Sequence, residues 1–305
     1  MQEPIDIVIP VYNEGEFIFQ NVMTIDGVLA SHQIPHRFIL VNDGSRDKSW
    51  LEIQRLKDAL GYITGVNLSR NFGKESALCA GIMEVSSNLC VVMDSDLQHP
   101  PEMIPAMLQK QKEGYDIVEC IKADRGRESV FSKLTAKLFY QIINRLSGFA
   151  MDNSSDFKLI NQQAIDAWKE IGDVHTFFRG MMEWVGFDKA QLSFNVQERN
   201  GGQTKFSTYK LIKLALNALT SFSAAPLYLT NVLGILFLIG ALILGAQTIY
   251  NKVAGYASSG FSTVILLLLI LGCAILFCLG IIGTYISKIY DEVKNRPRYI
   301  IKEKI

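Results

Sequence analysis

The sequence predicts an α/β fold, with a mostly parallel sheet covered by helices on both faces, followed by two C-terminal transmembrane helices. Two observations lead to this prediction. Residues 1–120 alternate between short runs of β-branched residues and amphipathic segments, a pattern typical of parallel strands with helical connections. Farther along, the stretches Leu214 to Asn251 and Val253 to Ser287 contain no Asp, Glu, Lys or Arg. The chain of 305 residues therefore has a polar part followed by a strongly apolar part.

The first part of the chain is expected to alternate strands and helices. The predicted strands are "IDIVIPVY", "RFILVND", "ITGVNLS", "LCVVMDSD" and "DIVEC". The predicted helices follow Glu14, Asp47, Lys74 and Pro101. Because these strands are continuously apolar, both of their faces are expected to be buried. Ligands of such sheets bind at the carboxyl ends of the strands, where the sequence has Tyr12, Asn13, Asp43, Asp94 and Asp96.

Residues 121–206 are more polar and complete a first domain at 1–206. Helices are predicted near 128–147 and 175–185, and a strand pair around "SDFKLI" and "AQLSFNV". The segment 207–224, "STYKLIKLALNALTSFSA", has apolar positions at helical spacing. We expect an amphipathic helix in the membrane interface, with an ordinary connector helix as the alternative.

The two charge-free stretches each contain the ~20 apolar residues needed to cross a bilayer. We predict transmembrane helices at 227–250 and 261–286; buried core helices are the alternative. The tail 287–305 carries six Lys or Arg, whereas the loop between the spans has only Lys252. The excess of positive charge predicts a basic cytoplasmic tail, and places the first domain and both termini in the cytoplasm.

Composition excludes some functions. The formal net charge is zero and no basic run is present, so nucleic-acid binding is not expected. The five cysteines are Cys79, Cys90, Cys120, Cys273 and Cys278. Their spacing resembles neither a zinc site nor a disulfide framework, and we interpret them as small apolar core residues.

Two familiar nucleotide-binding motifs are also absent. The first turn between strand and helix, "PVYNEGEF", has no G-x-G-x-x-G pattern. The segment "RNFGKES" is similar to the end of a P-loop, but Leu68 stands where the first Gly is required and Glu75 replaces the Ser or Thr. A different kind of site is therefore needed.

The segment "VVMDSDLQHP" places Asp94 and Asp96 directly after a buried strand. Two carboxylates at a strand end suit a divalent cation that keeps waters and shares its remaining positions with substrate phosphates. Mg²⁺ or Mn²⁺ at this position would neutralise charge on a diphosphate leaving group. The alternative is a turn or helix cap before Pro100 and Pro101.

Six segments occur in a characteristic order: "IVIPVYNEGE", "VNDGSRD", "LSRNFGKESAL", "MDSDLQHPPE", "SDFKLI" and "GGQTKFSTYKL". With the two C-terminal spans, they resemble the polyprenyl-phosphate glycosyltransferases of glycosyltransferase family 2. The resemblance extends to the bactoprenol (undecaprenyl-phosphate) glucosyltransferases and, more distantly, the dolichol-phosphate mannose synthases. It covers nearly the whole chain and implies a GT-A type fold in the bacterial inner (plasma) membrane.

The resemblance also implies roles for individual residues. The nucleotide pocket would contain Pro10, Tyr12, Glu14, Asp43 and Asp94, with Asp43 accepting hydrogen bonds from the base. The metal ligands would be Asp94, Asp96 and Gln98. The catalytic residues would be Asp156, in the position usually given to the base, with Asp96 and the phosphate-binding Arg199. The acceptor phosphate would be bound by Arg125, Arg199 and Lys205.

Several of these roles have structural alternatives. Asp43 could cap the helix after "NDGSRD", Asp156 could pair with Arg179 or Arg199, and Arg125 could be solvated. The segment "SDFKLI" differs from the commoner family form at Ser155, which replaces Gly, and at Lys158, which replaces Arg. Lys74 begins a predicted helix, an unfavourable place for a cation, and this indicates an anionic neighbour.

The resemblance implies inverting transfer of a sugar, here expected to be glucose from UDP-glucose, to undecaprenyl phosphate. The product would donate sugar for O-antigen or another cell-surface glycan. GDP-mannose or another nucleotide sugar, a processive polysaccharide synthase, and a non-catalytic regulator or flippase subunit are alternatives; the Gln-x-x-Arg-Trp motif of the synthases is absent. A homo-oligomer is also expected. Because a phosphate monoester has a second pKa near ~6, we hypothesise that Asp156 positions groups more than it removes a proton.

Overall fold

A computed structural model of the chain describes residues 3–122, 155–172, 177–194, 225–255 and 260–305. The chain divides into two compact units. We call them the sheet unit, Met1–Phe206 with Arg296–Ile305, and the helical unit, Ser207–Asn295. The helices predicted at 128–147 and 207–224 lie outside the described residues.

The sheet unit is built on a mixed sheet. Its described strands are β1 Ile5–Val11, β2 His36–Asn42, β3 Ile63–Leu68, β4 Leu89–Val92, β5 Ile117–Lys122, β6 Lys158–Asn161, β7 Lys189–Phe194 and β8 Ile301–Lys304. Their order across the sheet is β7-β5-β6-β4-β1-β2-β3-β8. The pairs β1–β2, β1–β4, β2–β3 and β5–β7 are parallel. The mostly parallel sheet predicted from the sequence is therefore confirmed.

The strand pair predicted for "SDFKLI" and "AQLSFNV" is wrong. Both segments form strands, β6 and β7, but β5 lies between them: β6 pairs antiparallel with β4 and β5, and β7 pairs parallel with β5. Strand neighbours depend on the path of the whole chain, which local patterns do not report. The consequence is that the segment before β6 lies beside the end of β4.

Helices of the sheet unit follow the strands. They are α1 Ile18–Ser31, α2 Ser49–Leu60, α3 Lys74–Met83, a 3₁₀ turn Pro101–Met103, α4 Ile104–Lys112, α5 Gln162–Glu170 and α6 Phe178–Trp184. In α1, the buried residues Ile18, Val22, Ile25 and Leu29 recur at helical spacing, so a single stripe faces the sheet. Helix α6 matches the helix predicted at 175–185.

The side chains of β1 alternate between the two faces of the sheet. Ile7 and Ile9 belong to the core shared with α1, α2 and α4. Val8 points to the other face, where α3 packs closely at Gly81. A Cβ added to Gly81 would lie 2.4 Å from Val8 Cγ1, so glycine permits this close approach. Helices therefore cover both faces of the sheet, as predicted.

The C-terminal residues return to the sheet unit. β8 pairs antiparallel with β3 at the edge of the sheet. Ile305 and Gly65 exchange backbone hydrogen bonds of 2.9 and 3.0 Å, and Trp50 Nε1 donates to Glu303 Oε2 at 3.0 Å. From the sequence, we expected only a basic tail here. Short alternating segments such as "IKEK" carry a weak strand signal, and the neighbouring strand is what orders it.

The helical unit contains α7 Ala225–Val253 and α8 Phe261–Val293. Within them, Pro226–Val253 contains an 18-residue stretch with a mean hydropathy of 2.4, and Leu267–Val293 contains one with a mean hydropathy of 2.7. Both helices are long and apolar enough to cross a membrane, by length and composition. They extend past the spans predicted at 227–250 and 261–286 because helical hydrogen bonding continues through the polar residues that follow, as at Ser287.

Candidate active site

A cavity of about 270 Å³ opens in the sheet unit, at the carboxyl ends of the strands. Its described lining comes from four parts of the chain that are far apart in sequence. The residues are Pro10, Val11, Tyr12, Glu14, Asp43, Asn71, Gly73, Lys74, Asp94, Ser95 and Asp96. The residues predicted to bind a nucleotide, together with Asp96, therefore line one cavity.

The turns after β1 and β2 hold each other in place. Asn13, with a left-handed φ of 54°, donates its backbone N–H to Ser45 Oγ at 2.9 Å and accepts from Arg46 N at 3.0 Å. Gly44 has φ 60°, and a Cβ there would lie 2.2 Å from the backbone carbon of Arg70. Only glycine fits this position. The "NDG" segment therefore supplies both the Asp43 carboxylate and a glycine that the turn requires.

Asp43 anchors the loop before α3. Its Oδ1 accepts from Phe72 N at 2.7 Å and its Oδ2 from Gly73 N at 2.9 Å. Burial raises the pKa of Asp43, and the two backbone hydrogen bonds partly oppose that rise. The carboxylate still lines the cavity, where its remaining lone pairs can accept a hydrogen bond from a ligand.

The cap that we considered for Asp43 belongs to Asp47. Asp47 Oδ1 accepts from Ser49 N at 3.0 Å, at the first residue of α2, and from Ser49 Oγ at 2.6 Å. Its Oδ2 accepts from Gly15 N at 2.9 Å. Burial opposes ionisation, but these hydrogen bonds outweigh it and lower the pKa of Asp47. Asp43 therefore does not cap α2.

Asp94 and Asp96 lie on a constrained turn after β4. Leu97 has a left-handed φ of 57°, which is uncommon for a residue with a Cβ and often accompanies function. Gln98 N donates to Asp96 Oδ1 at 3.1 Å. Gln98, predicted as a metal ligand, is not among the described residues that line the cavity. Its described contribution to this turn is the hydrogen bond from its backbone N–H to Asp96.

The buried His99 side chain hydrogen-bonds to the same turn. Asp94 N donates to His99 Nδ1 at 3.0 Å, and the imidazole stacks on Phe157 with ring centroids 5.1 Å apart. Burial lowers the pKa of His99, which keeps the ring neutral and Nδ1 able to accept. His99 thereby connects the turn that carries Asp94 to the segment that carries Asp156.

The donor set suits a partly hydrated divalent cation. Within the described residues, no group of three or more His, Cys, Asp or Glu side chains is placed to hold a metal. Two neighbouring carboxylates, Asp94 and Asp96, do line the cavity. Mg²⁺ and Mn²⁺ commonly use one or two carboxylates and complete their coordination with water and substrate phosphates. The residues present therefore fit such an ion.

Lys74 joins the two sides of the site. Its Nζ lies 2.5 Å from Asp94 Oδ1 and 2.6 Å from Asp156 Oδ2. A lysine at a helix start indicated an anionic neighbour, and the structure has two, Asp94 and Asp156. The Asp156 carboxylate also receives Arg179, which donates from Nε to Oδ1 at 2.7 Å. The alternative that Asp156 pairs with Arg179 is confirmed as a contact.

Charges in this cluster favour ionised Asp156. Its side chain is only 4% exposed, and burial alone would raise its pKa. The hydrogen bonds and charges of Arg179 and Lys74 outweigh burial and hold the pKa of Asp156 well below its usual range. Burial lowers the pKa of Lys74, but Asp94 and Asp156 more than offset this, so the lysine stays protonated.

Glu75 is a half-buried carboxyl of this cluster and takes up a proton near neutral pH. Burial, with a smaller contribution from the Asp156 charge, raises the pKa of Glu75 to about 7, although Phe178 N donates to it. That hydrogen bond, of 2.7 Å to Oε2, links α3 to the start of α6. A carboxyl titrating near neutrality thus lies next to the cations that hold Asp156.

The unusual residues of "SDFKLI" are both anchored to β5. Ser155 Oγ donates to the Cys120 carbonyl and accepts from Phe157 N at 3.2 Å. Lys158, which is fully buried, forms an ion pair with Glu119 on the neighbouring strand. The departures from the family form therefore have local partners that fix the turn bearing Asp156.

Some predicted residues are not placed. Arg125, Arg199 and Lys205 lie outside the described residues. His99 was not expected in the site, and Arg179 was expected only as a structural partner of Asp156. The position of His99 inside the motif "MDSDLQHPPE" was a usable signal, whereas no local pattern decides between Arg179 and Arg199 as the partner of Asp156.

Residues 6–168 match the family described as "Glycosyl transferase family 2". Among curated proteins, an uncharacterized glycosyltransferase of Synechocystis sp. is 38% identical over 98% of this chain and 95% of its own length. The SfII prophage-derived bactoprenol glucosyl transferase of Shigella flexneri is 33% identical over 98% of this chain and 97% of its own.

Among solved structures, similarity is found to glucosyl-3-phosphoglycerate synthase from Mycobacterium tuberculosis, in complex with Mn²⁺, UDP-glucose and phosphoglyceric acid. The identity is 19%, the TM-score is 0.48, and the match covers 72% of this chain and 78% of that one.

Proposed function

Since the chain belongs to glycosyltransferase family 2, we propose that it transfers a sugar from a nucleotide diphosphate to the phosphate of a membrane polyprenol. The specific substrates we propose are UDP-glucose and undecaprenyl phosphate. Support comes from the relatives named as bactoprenol glucosyl transferases, which match over nearly their full length. The product would supply glucose for O-antigen or another cell-surface glycan.

The observation that carries the proposal is the shared cavity. Tyr12, Asp43 and Asp94 come from three separate strand ends and line it together. Tyr12 is 46% exposed, so its ring is available to stack on a nucleobase. Asp43 offers acceptor lone pairs to a base N–H. A nucleotide placed in this way directs its diphosphate towards Asp94 and Asp96.

We propose Asp94 and Asp96 as the residues that would hold Mg²⁺ or Mn²⁺. The bound ion would neutralise charge on the diphosphate leaving group. Side chains of the protein would supply the other positive charges that the reaction needs. Lys74 and Arg179 place two positive charges next to Asp156, and charge of this kind allows two anionic substrates to approach one another.

In the proposed reaction, an oxygen of the acceptor phosphate attacks the anomeric carbon of the sugar. The bond from that carbon to the diphosphate breaks, UDP leaves with the electron pair, and the configuration inverts. The acceptor is already mostly dianionic at neutral pH, since the second pKa of a phosphate monoester is near ~6. No proton needs to be removed, and an ionised Asp156 held by two cations suits positioning better than base catalysis.

We propose that α7 and α8 cross the bacterial inner membrane, with both termini in the cytoplasm. Their length and apolar composition permit this, and the six basic residues of the tail favour it. A polyprenyl phosphate shares the bilayer with such helices, which explains why a sugar transferase of this kind would carry them.

The test is sugar transfer by the full-length protein in detergent. Radiolabelled UDP-glucose, UDP-galactose, UDP-N-acetylglucosamine and GDP-mannose are each offered with undecaprenyl phosphate, with Mg²⁺, Mn²⁺ or EDTA. We expect metal-dependent labelling of the lipid from UDP-glucose, and loss of transfer in Asp96→Asn with UDP binding retained. Labelling from another donor would correct the sugar; lipid labelling that persists in EDTA would refute the metal assignment.

A further inference from the structure

We propose that Lys74 is a positioning residue that holds Asp94 to Asp156 in the metal-free protein and gives up Asp94 when a divalent cation binds. The inference rests on the proposed function, in which Asp94 is a metal ligand. It assigns to Lys74 a role in metal binding that the cavity lining alone does not reveal.

The geometry places Lys74 in competition with a metal. Its ammonium lies 2.5 Å from Asp94 Oδ1, so a lone pair that a cation would use is already engaged. The same ammonium lies 2.6 Å from Asp156 Oδ2. A cation at Asp94 would therefore meet either an occupied oxygen or a positive charge nearby, and both lower its affinity.

Lys74 can release Asp94 without becoming an isolated charge. Asp156, at 4% exposure, remains as its partner, whereas the lysine side chain is 40% exposed and has room to move. Arg179 holds Asp156 from another direction, so the carboxylate stays in place during the exchange. The exchange therefore replaces one cation at Asp94 with another and leaves Asp156 paired.

Lys74 also connects the proposed metal ligand Asp94 to Asp156, which lies where the acceptor phosphate is proposed to react. Asp94 lies on the cavity wall, and Asp156 lies in the segment before β6, next to α3 and α6. While Lys74 bridges them, the two carboxylates share one ammonium group, and Arg179 supplies a second positive charge to Asp156. Metal binding would separate the two roles and leave the lysine charge beside Asp156, where the acceptor phosphate is proposed to react.

The experiment measures metal binding directly. Mn²⁺ binding to the full-length protein in detergent is followed by electron paramagnetic resonance, with and without saturating UDP, and Mg²⁺ binding by calorimetry. The variants are Lys74→Met, Lys74→Gln and Lys74→Arg. Arg70→Met is the matched control, because Arg70 loses the same charge but stacks on the Phe72 ring. Thermal melting in EDTA verifies that each variant is folded.

We expect Lys74→Met and Lys74→Gln to bind Mn²⁺ about two- to five-fold more tightly, the scale of one partly exposed ion pair. Lys74→Arg and Arg70→Met should stay close to the wild type. Unchanged or weaker binding in the two neutral variants, when folded, would overturn the inference. An equal gain in Arg70→Met would also overturn it, because the effect would then be one of general charge.

The outcome is separable from that of the proposed function. Metal binding is measured without sugar or lipid, so tighter binding in Lys74→Met supports the inference even if no donor is transferred. If neither the wild type nor any variant binds Mn²⁺ or Mg²⁺, with or without UDP, both the inference and the metal assignment fail. Sugar transfer that needs no metal would then preserve the rest of the proposed function.

Discussion

Arg179 engages both carboxylate oxygens of Asp156: its Nε donates to Oδ1 at 2.7 Å and its Nη2 to Oδ2 at 3.0 Å. Arg179 belongs to α6, and Asp156 precedes β6. A bidentate pair of this kind fixes the orientation of the carboxylate as well as its charge. With Lys74 on the same carboxylate, the arrangement is that of an anchored anion, and it makes Asp156 a weak base.

Asp156→Asn is therefore expected to retain more than about a tenth of the wild-type transfer rate. The acid limb of the pH–rate profile should follow the acceptor phosphate, near pH ~6, and should not move in the variant. Transfer rates between pH 5 and 9 check this. A loss of ~10⁴-fold in a variant that melts normally would instead identify Asp156 as the base.

Glu75 predicts a pH-dependent stability. Its pKa is about 7 in the folded protein, against an ordinary value of 4.5, so the folded state binds more protons between these two pH values. Stability from this group is full below pH 4.5 and is lost as the pH rises through 7. Glu75→Gln should remove that loss and stabilise the protein at pH 8 by about 3 kcal/mol.

The difference in melting temperature between Glu75→Gln and the wild type, followed from pH 5 to pH 8, measures this effect. It should grow with pH, because the variant amide can still accept from Phe178 N without a charge. Glu170→Gln is the control, since Glu170 is exposed on α5. A difference that is independent of pH would show that Glu75 does not titrate in this range.

Gly44→Ala should destabilise the sheet unit by more than about 2 kcal/mol, because an alanine Cβ is disfavoured at positive φ and would meet the Arg70 backbone. Gly27→Ala is a matched control. Gly27 lies inside α1 with open space around it, so alanine there should stabilise by about 0.5–1 kcal/mol. Melting temperatures and UDP binding check both; a tolerated Gly44→Ala would contradict the tight contact between the two loops.

Deletion of residues 301–305 removes β8 from the edge of β3. The loss of several backbone hydrogen bonds, each worth about 1 kcal/mol net, should lower the melting temperature and speed amide hydrogen exchange in 63–68. Lys304→Ala, which breaks only the exposed pair with Glu84, should cost less than about 1 kcal/mol. Equal exchange in the deletion and the wild type would show that β8 adds no protection.

Much of the fold was predictable because it depends on local spacing. The β-branched runs, the apolar stripe of α1 and the two charge-free stretches each repeat over a few residues, and they predicted the sheet, its helices and the two long apolar helices. Asp43 in "NDG" and the paired carboxylates of "MDSD" predicted that a site forms at the strand ends. The strand pairing of β6 and β7 could not be predicted, since the neighbours of a strand depend on the whole chain.

The sequence by itself determined the family, the α/β class and the residues Tyr12, Asp43, Asp94 and Asp96 as members of one site, because these follow from short motifs in order. Only the tertiary structure decided which charges meet. Lys74, Asp156 and Arg179 are separated along the chain, and they come together because β6 lies beside β4 and because a hydrogen bond links Glu75 of α3 to the start of α6. Ion pairs depend on distances of a few ångströms, which sequence separation does not determine.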